Sequence, residues 1–207
     1  MASIKVYDMQ ANQVGSLTLK DELFKVEYNP AVIHQKIVAE NANARQGTQK
    51  TLSVSEIRGH SKKPYAQKHT GNARHGNTKA PQYTGGGMVH ALRPRDYTQK
   101  VNKQVKYLAF ASALSQKLAQ KEITVIDKIA VEQPKTKLVA NMLDAFKFDR
   151  KTLIVVEEND KTLLKATANI PTVTLVTADL VNVGQIVANK NVVFSKAAIK
   201  KLEEARI

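Results

Sequence analysis

Apolar side chains recur along this chain with two different periods, and between residues 58 and 87 the large aliphatic ones vanish. Near the start, Ile4-Lys5-Val6-Tyr7 and Val14-Gly15-Ser16-Leu17-Thr18-Leu19 alternate apolar with polar, which predicts two short strands. Asn29-Pro30 then opens a helix, with Asn as N-cap and Pro at the first position, where a missing N–H costs nothing. Val32, Ile33, Ile37 and Val38 carry helical spacing on to about Ala44. A second helix is predicted from Val101 to about Leu118, with Val105, Leu108, Ala109, Ser112, Ala113 and Leu118 on one buried face. Four apolar runs follow, at Ile123–Ile126, Leu153–Val156, Val173–Val176 and Val192–Phe194. Helical or turn segments separate them, at Lys137–Phe146, Asp160–Ala168, Asp179–Ala188 and Ser195–Ala205. This alternation predicts an α/β fold, a single domain with a mainly parallel sheet flanked by helices. The unbroken run Leu153-Ile154-Val155-Val156 is what a parallel strand covered on both faces requires.

The middle of the chain obeys neither period. From Arg58 to Gly87 there is no Val, Ile, Leu, Met or Phe, and seven of the nine glycines fall between Gly47 and Gly87. Such a segment cannot bury enough apolar surface to offset the entropy of ordering it. A disordered linker is the plain reading, but the segment lies between two well-patterned halves and carries spaced Tyr and Pro rather than a repeat. We read residues 46–96 as a long extended basic internal loop, carried by a domain made of residues 1–45 and 97–207. The stretch from about Gln46 to Arg95 is expected to be disordered in the free protein and to order on a partner.

Charge identifies the partner. The chain has 32 Lys and Arg against 18 Asp and Glu, a formal net charge of +14. Residues 41–106 hold 13 of the basic residues and only two acidic ones, Glu56 and Asp96. A polyanion is implied, and RNA fits best: cations neutralise phosphates and release counterions, and aromatic faces stack on unpaired bases. The candidate phosphate contacts are Arg45, Lys50, Arg58, Lys62, Lys63, Lys68, Arg74, Lys79, Arg93, Arg95, Lys100 and Lys103; the candidate stacking faces are Tyr65, Tyr83 and Tyr97. An anionic membrane is the weaker alternative, since no apolar run approaches the ~18–20 residues of a span. The opening MASIKVYDMQ reads as a strand rather than a secretory signal, and there is no cysteine, so a soluble cytoplasmic protein is expected.

An enzyme reading finds little to stand on. Gly71-Asn72-Ala73-Arg74-His75-Gly76-Asn77-Thr78 comes near the phosphate-binding loop G-x4-G-K-[ST], but Asn77 stands where the lysine must be, and no buried strand precedes it. Gly85-Gly86-Gly87 is not a dinucleotide fingerprint. His60, His69, His75 and His90 follow no metal-ligand spacing, and His34 reads as a surface or packing residue. No Ser/His/Asp set stands out, and Glu157-Glu158 reads as a solvated strand end. No catalytic residue, metal or cofactor is assigned.

Within the loop the sequence becomes specific. The run Lys62-Lys63-Pro64-Tyr65-Ala66-Gln67-Lys68-His69-Thr70-Gly71-Asn72-Ala73-Arg74-His75-Gly76 resembles the signature of the bacterial large-subunit ribosomal protein four family. Ala80-Pro81-Gln82-Tyr83, Gly85-Gly86-Gly87 and Arg93-Pro94-Arg95-Asp96-Tyr97 follow at that family's spacing, and Ala44-Arg45-Gln46-Gly47-Thr48 and Pro134-Lys135-Thr136-Lys137 match as well. There are departures: Tyr65 stands for the usual Trp, His69 for a usual Gly, Asn72 for a basic residue and Thr84 for a frequent Arg. The resemblance implies a structural protein that binds large-subunit rRNA early in assembly, with its globular domain on the solvent side and its loop lining the polypeptide exit tunnel near the macrolide site. The tip would then comprise Lys62, Lys63, Pro64, Tyr65, Gln67, Lys68, His69 and Arg74. The implied partners are that rRNA, neighbouring large-subunit proteins and the nascent polypeptide. Some members of the family also repress their own operon by binding messenger RNA.

Overall fold

A computed structural model describes residues 2–131, 133–158 and 160–206. It divides into two compact units, Met1–Asn41 with Lys100–Ile207, and Ala42–Gln99.

The first unit is an α/β sheet structure. Strands β1 (Ala2–Tyr7) and β2 (Gln13–Leu19) form an antiparallel hairpin, and β3 (Ile123–Ile126), β4 (Thr152–Val156), β5 (Val173–Thr177) and β6 (Asn191–Ser195) join it in the order β2-β1-β3-β6-β4-β5. Every pairing other than β1–β2 is parallel. Residues alternate between the two faces of such a sheet. Val125, Leu153, Val155, Val192 and Phe194 therefore enter one core, while Ile126, Ile154, Val156 and Val193 enter another. All five residues of β4 are buried, as its unbroken apolar run requires.

Helices cover both faces. The first core is closed by α1 (Asp21–Phe24), α2 (Pro30–Asn43), α3 (Lys103–Ala119), α6 (Val183–Ala188) and α7 (Lys196–Arg206). The second is closed by α4 (Thr136–Ala145) and α5 (Lys161–Thr167), through Val139, Met142, Leu143, Leu163 and Ala166. Asn29 caps α2 as expected, its Oδ1 accepting the Val32 N–H at 3.3 Å with Pro30 in the first position. Asp160 caps α5 by accepting the Thr162 N–H at 3.0 Å. Among the described residues no helix is long and apolar enough to cross a membrane.

Four details correct the sequence reading. Helix α1, only four residues long, had no visible period, yet its Leu23 and Phe24 are buried. Leu108 is 36% exposed; the buried stripe of α3 runs instead from Ala109 to Leu114 and includes Phe110. Asn102 is the N-cap of α3, so the helix starts at Lys103 rather than Val101. The segment Asp179–Ala188, expected as helical or turn, is not one element: a 3-10 turn, Ala178–Leu180, gives way to extended residues 181 and 182 before α6 begins. The break is closed by a capping box between Asn182 and Gln185, and the Gly184 N–H donates to Glu40 Oε2 on α2 at 2.9 Å.

Candidate nucleic-acid interface

Beyond the end of α2, the unit Ala42–Gln99 has no helix or strand among its residues. Its order comes from bonds across two antiparallel arms. At the root, Asn43 Oδ1 accepts the Gln99 N–H at 2.6 Å, and Asn43 Nδ2 donates to the Gln99 carbonyl at 3.2 Å. The Arg95 N–H donates to the Gly47 carbonyl at 3.1 Å. Higher up, the Thr51 N–H donates to the Leu92 carbonyl at 3.0 Å, the Leu92 N–H to Thr51 Oγ1 at 2.8 Å, and the Met88 N–H to the Leu52 carbonyl at 3.2 Å.

Glycine allows three close approaches in this unit. Gly47 has φ +71°, and a Cβ there would lie 2.0 Å from the Arg95 carbonyl oxygen. In the triple glycine, a Cβ on Gly86 would lie 2.1 Å from the Ala80 carbonyl oxygen, and one on Gly87 would lie 2.6 Å from the Val54 nitrogen. Gly87 is also bonded, its N–H donating to the Lys79 carbonyl at 2.8 Å.

Three side-chain clusters complete the unit. At the root, the Arg45 guanidinium lies 3.9 Å and that of Arg95 4.5 Å from the centre of the Tyr97 ring. Gln49 Nε2 donates to the Tyr97 hydroxyl at 3.3 Å. The Arg95 side chain bonded to that hydroxyl, reinforced by the charge of Arg45, holds it below the usual phenol range. Tyr97 is thus a platform for two arginines, a role the sequence did not suggest. In the middle, Glu56 bonds Lys50 at 2.7 Å and accepts both the N–H and the hydroxyl of Ser53 at 3.0 Å. The Lys50 contact, followed by the Ser53 bonds, pulls the Glu56 carboxyl down to about 2. At the far end, the His75 ring lies 5.1 Å from that of Tyr83 and 6.0 Å from that of Tyr65, while Gln82 Nε2 sits 3.0 Å from His75 Nδ1. Tyr65 donates its hydroxyl to the Ala73 carbonyl.

The predicted cations are therefore placed on a folded-back framework. Ten Lys and Arg fall between Ala42 and Gln99, and among the described residues only Lys50 has a carboxylate within 4.0 Å. Arg45, Arg58, Lys62, Lys63, Lys68, Arg74, Arg93 and Arg95 are exposed, and Lys79 is half-buried. Lys63 Nζ bonds Gln67, and Pro64 is exposed beside it. His69 adopts φ +65°, the left-handed backbone that glycine takes most easily. Lys100 and Lys103, both exposed, belong to the other unit. Unpaired, solvent-facing cations at this density form a surface for a polyanion.

Among the described residues, the motifs weighed for catalysis do not assemble into a site. Gly71–Thr78 follows no strand and opens no helix. The apolar crevice of the sheet unit is lined by Met9, Gln10, Ala130, Val131, Leu138, Asn141, Met142 and Ala145, none of which titrates. Glu157 and Glu158 are exposed at the end of β4. No group of three metal-ligating side chains occurs among the described residues.

Comparison with known proteins agrees with this picture. The profile of the ribosomal protein L4/L1 family matches residues 17–205. The chain belongs to the ribosomal protein L4/L1 family. It is 42% identical over 204 residues to the large ribosomal subunit protein uL4 of Lachnospira eligens, covering 99% of this chain and 98% of that protein. The protein of the same name from Brevibacillus brevis is 40% identical, with 99% of both chains covered, and that of Lachnoclostridium phytofermentans is also 40% identical. This is a family of ribosomal proteins, not of enzymes, and membership spans both units rather than the basic one alone.

Proposed function

We propose that this protein is a structural component of the large ribosomal subunit, working in the cytoplasm as part of the ribosome. Residues 46–96 are its rRNA-penetrating loop, carried by the globular residues 1–45 and 97–207. The loop binds large-subunit rRNA early in assembly through Arg45, Lys50, Arg58, Lys62, Lys63, Lys68, Arg74, Lys79, Arg93 and Arg95, with Lys100 and Lys103 extending the contact and Tyr65, Tyr83 and Tyr97 supplying aromatic surface. The observation that carries this reading is the density of exposed cations without carboxylate partners in a unit of a ribosomal-protein chain.

In the same reading, Lys62, Lys63, Pro64, Tyr65, Gln67, Lys68, His69 and Arg74 form the tip that lines the exit tunnel and meets the nascent polypeptide. Neighbouring large-subunit proteins are the remaining partners. The test of RNA binding is a salt titration with a large-subunit rRNA transcript. If about six phosphates are contacted, log K falls against log salt with a slope of roughly −4 to −5. A slope near zero would refute an electrostatic RNA interface. The test of the tip is Lys68→Glu, which sets a negative charge among the tunnel-wall phosphates while touching no core residue. It should alter macrolide susceptibility and the chemical probing of tunnel RNA. Unchanged susceptibility and probing would place the tip elsewhere.

A further inference from the structure

The loop's cations are of two kinds. Around Lys62, Lys63 and Lys68 they are flexible point charges. At the root they are two arginines seated on one tyrosine ring, 3.9 Å and 4.5 Å from its centre. Both guanidinium groups lie near one ring centre, so they are no more than about 8.4 Å apart, and like charges at that range repel unless an anion joins them. The protein supplies none: among the described residues neither guanidinium has a carboxylate within 4.0 Å. Asp96, the acid next to Arg95, is turned onto Thr98, accepting its N–H at 2.8 Å and its hydroxyl at 2.5 Å.

The arrangement is also enforced. Arg95 is tied through its backbone to the Gly47 carbonyl, and Gly47 is crowded so tightly that a methyl group would sit 2.0 Å from the Arg95 carbonyl oxygen. The Asn43 side chain locks both backbone groups of Gln99 four residues further on. Gln49 fixes the Tyr97 hydroxyl. A crevice lined by Arg45, Gln46, Gly47, Thr48, Gln49 and Tyr97 opens beside the ring, so hydroxyl and amide donors stand near the Arg45 guanidinium.

We propose that the root of the loop is a preformed phosphate clamp, in which Arg45 and Arg95, both seated on Tyr97, grip a phosphodiester anion of folded RNA. The proposal rests on the reading of this unit as an RNA-binding element and narrows it to one anion and two forked donors. Arginine suits the task because the Arg45 guanidinium against the ring keeps its N–H edge for charge-assisted bonds to phosphate oxygens, and Arg95, with five N–H donors, keeps others beyond the one given to the Tyr97 hydroxyl. The clamp fixes where the loop leaves the RNA surface, while the lysines beyond it add diffuse attraction.

The clamp and a diffuse charge layer respond differently to Arg45→Lys and Arg95→Lys. Both substitutions keep the charge and remove the fork and the stack. In the full-length chain, with fold checked by circular dichroism, each should lower affinity for a large-subunit rRNA transcript about tenfold while leaving the salt slope unchanged, and Lys68→Arg should change neither. Titrating the wild-type chain with inorganic phosphate at constant ionic strength should give saturable NMR shifts at the Arg45 and Arg95 side-chain N–H groups before those of Arg58, Arg74 and Arg93. Gly47→Ala should abolish that preference, since it displaces the Arg95 backbone. If the lysine variants bind the transcript like wild type, or phosphate shifts all the arginines alike, the clamp is wrong while the RNA-binding reading stands. If the wild-type chain itself fails to bind the transcript, that broader reading falls, and the clamp falls with it.

Discussion

Strand β4 and the arms of the basic loop reach order by opposite routes. In β4 every residue from Thr152 to Val156 is buried, and both faces pack on apolar neighbours contributed by helices. In the loop, Gly87 is the one buried residue between Ala42 and Gln99, and order comes from polar bonds, ring contacts and glycine contacts. Hydrophobic burial is non-directional and scales with area, so the sheet unit can lose a contact and keep its fold. Bonds such as Thr51 to Leu92 or Gly47 to Arg95 are directional, face solvent, and contribute only about 0.5–1.5 kcal/mol each. The first unit has stability of its own; the second keeps its shape at little energetic margin and has most to gain from a partner.

The comparison predicts that function and stability can be removed separately. The largest effect is expected from deleting residues 58–87. The rRNA affinity should drop by orders of magnitude and its salt slope should flatten, while thermal unfolding of the sheet unit is unchanged. A slope that survives the deletion would move the main electrostatic element to the sheet unit, where Lys135, Lys137, Arg150 and Lys151 are exposed. Next in size is the reverse experiment. Phe194→Ala empties a fully buried site between β3 and β4 and should cost about 3–5 kcal/mol in urea unfolding. The salt slope for rRNA at full folding should match wild type; a changed slope would show that the two units are coupled.

Limited proteolysis sharpens the contrast within the loop. Trypsin should cut first between Arg58 and Lys79, leaving the two flanks associated, because the arm bonds cluster between Asn43 and Leu52 on one side and Gly87 and Gln99 on the other. Early cutting at Arg45 or Arg95 would mean that the root is as mobile as the tip. The smallest effect concerns pH. The Glu56 carboxyl is lowered from 4.5 to about 2, so its contacts with Lys50 and Ser53 are fully present above about pH 4.5 and are lost as pH falls through about 2. The Ser53 amide resonance should follow that titration, and Glu56→Gln should abolish it without changing the unfolding of the sheet unit.

What was legible in the sequence divides along the same line. Ile123–Ile126 was placed with its observed bounds because its apolar run stops where the burial stops. Leu108 was assigned inward wrongly, since on a helix rich in Ala the alanines and Phe110 can pack closest and turn a longer aliphatic outward. The cations of the loop were legible as charge, but their setting was not. Asn43 with Gln99, Gly47 with Arg95 and Thr51 with Leu92 lie far apart in sequence, and no local period encodes such pairs. His75 follows no metal-ligand spacing, and nothing local encodes its ring contacts with Tyr65 and Tyr83. Only Ser53-x-x-Glu56 had a local signature, the capping-box pattern, that would have revealed its turn in advance.

The triple glycine carries a lesson for engineering. A Gly-Gly-Gly tract reads as slack, a natural place to splice in a tag, a probe or a crosslinking residue. Here Gly85 has open space but a φ of +78° that strains any side chain; Gly86 sits against the Ala80 carbonyl, and Gly87 sits against the Val54 backbone and acts as a rivet between the two arms. Insertions at those two positions should be rejected. The tolerant site is Gly76, where nothing lies within 4 Å of the missing methyl group; nearby Gly71 has the space but a φ of +71° that strains any side chain. A label set there would report from the far end of the loop without loosening the joint on which its shape depends.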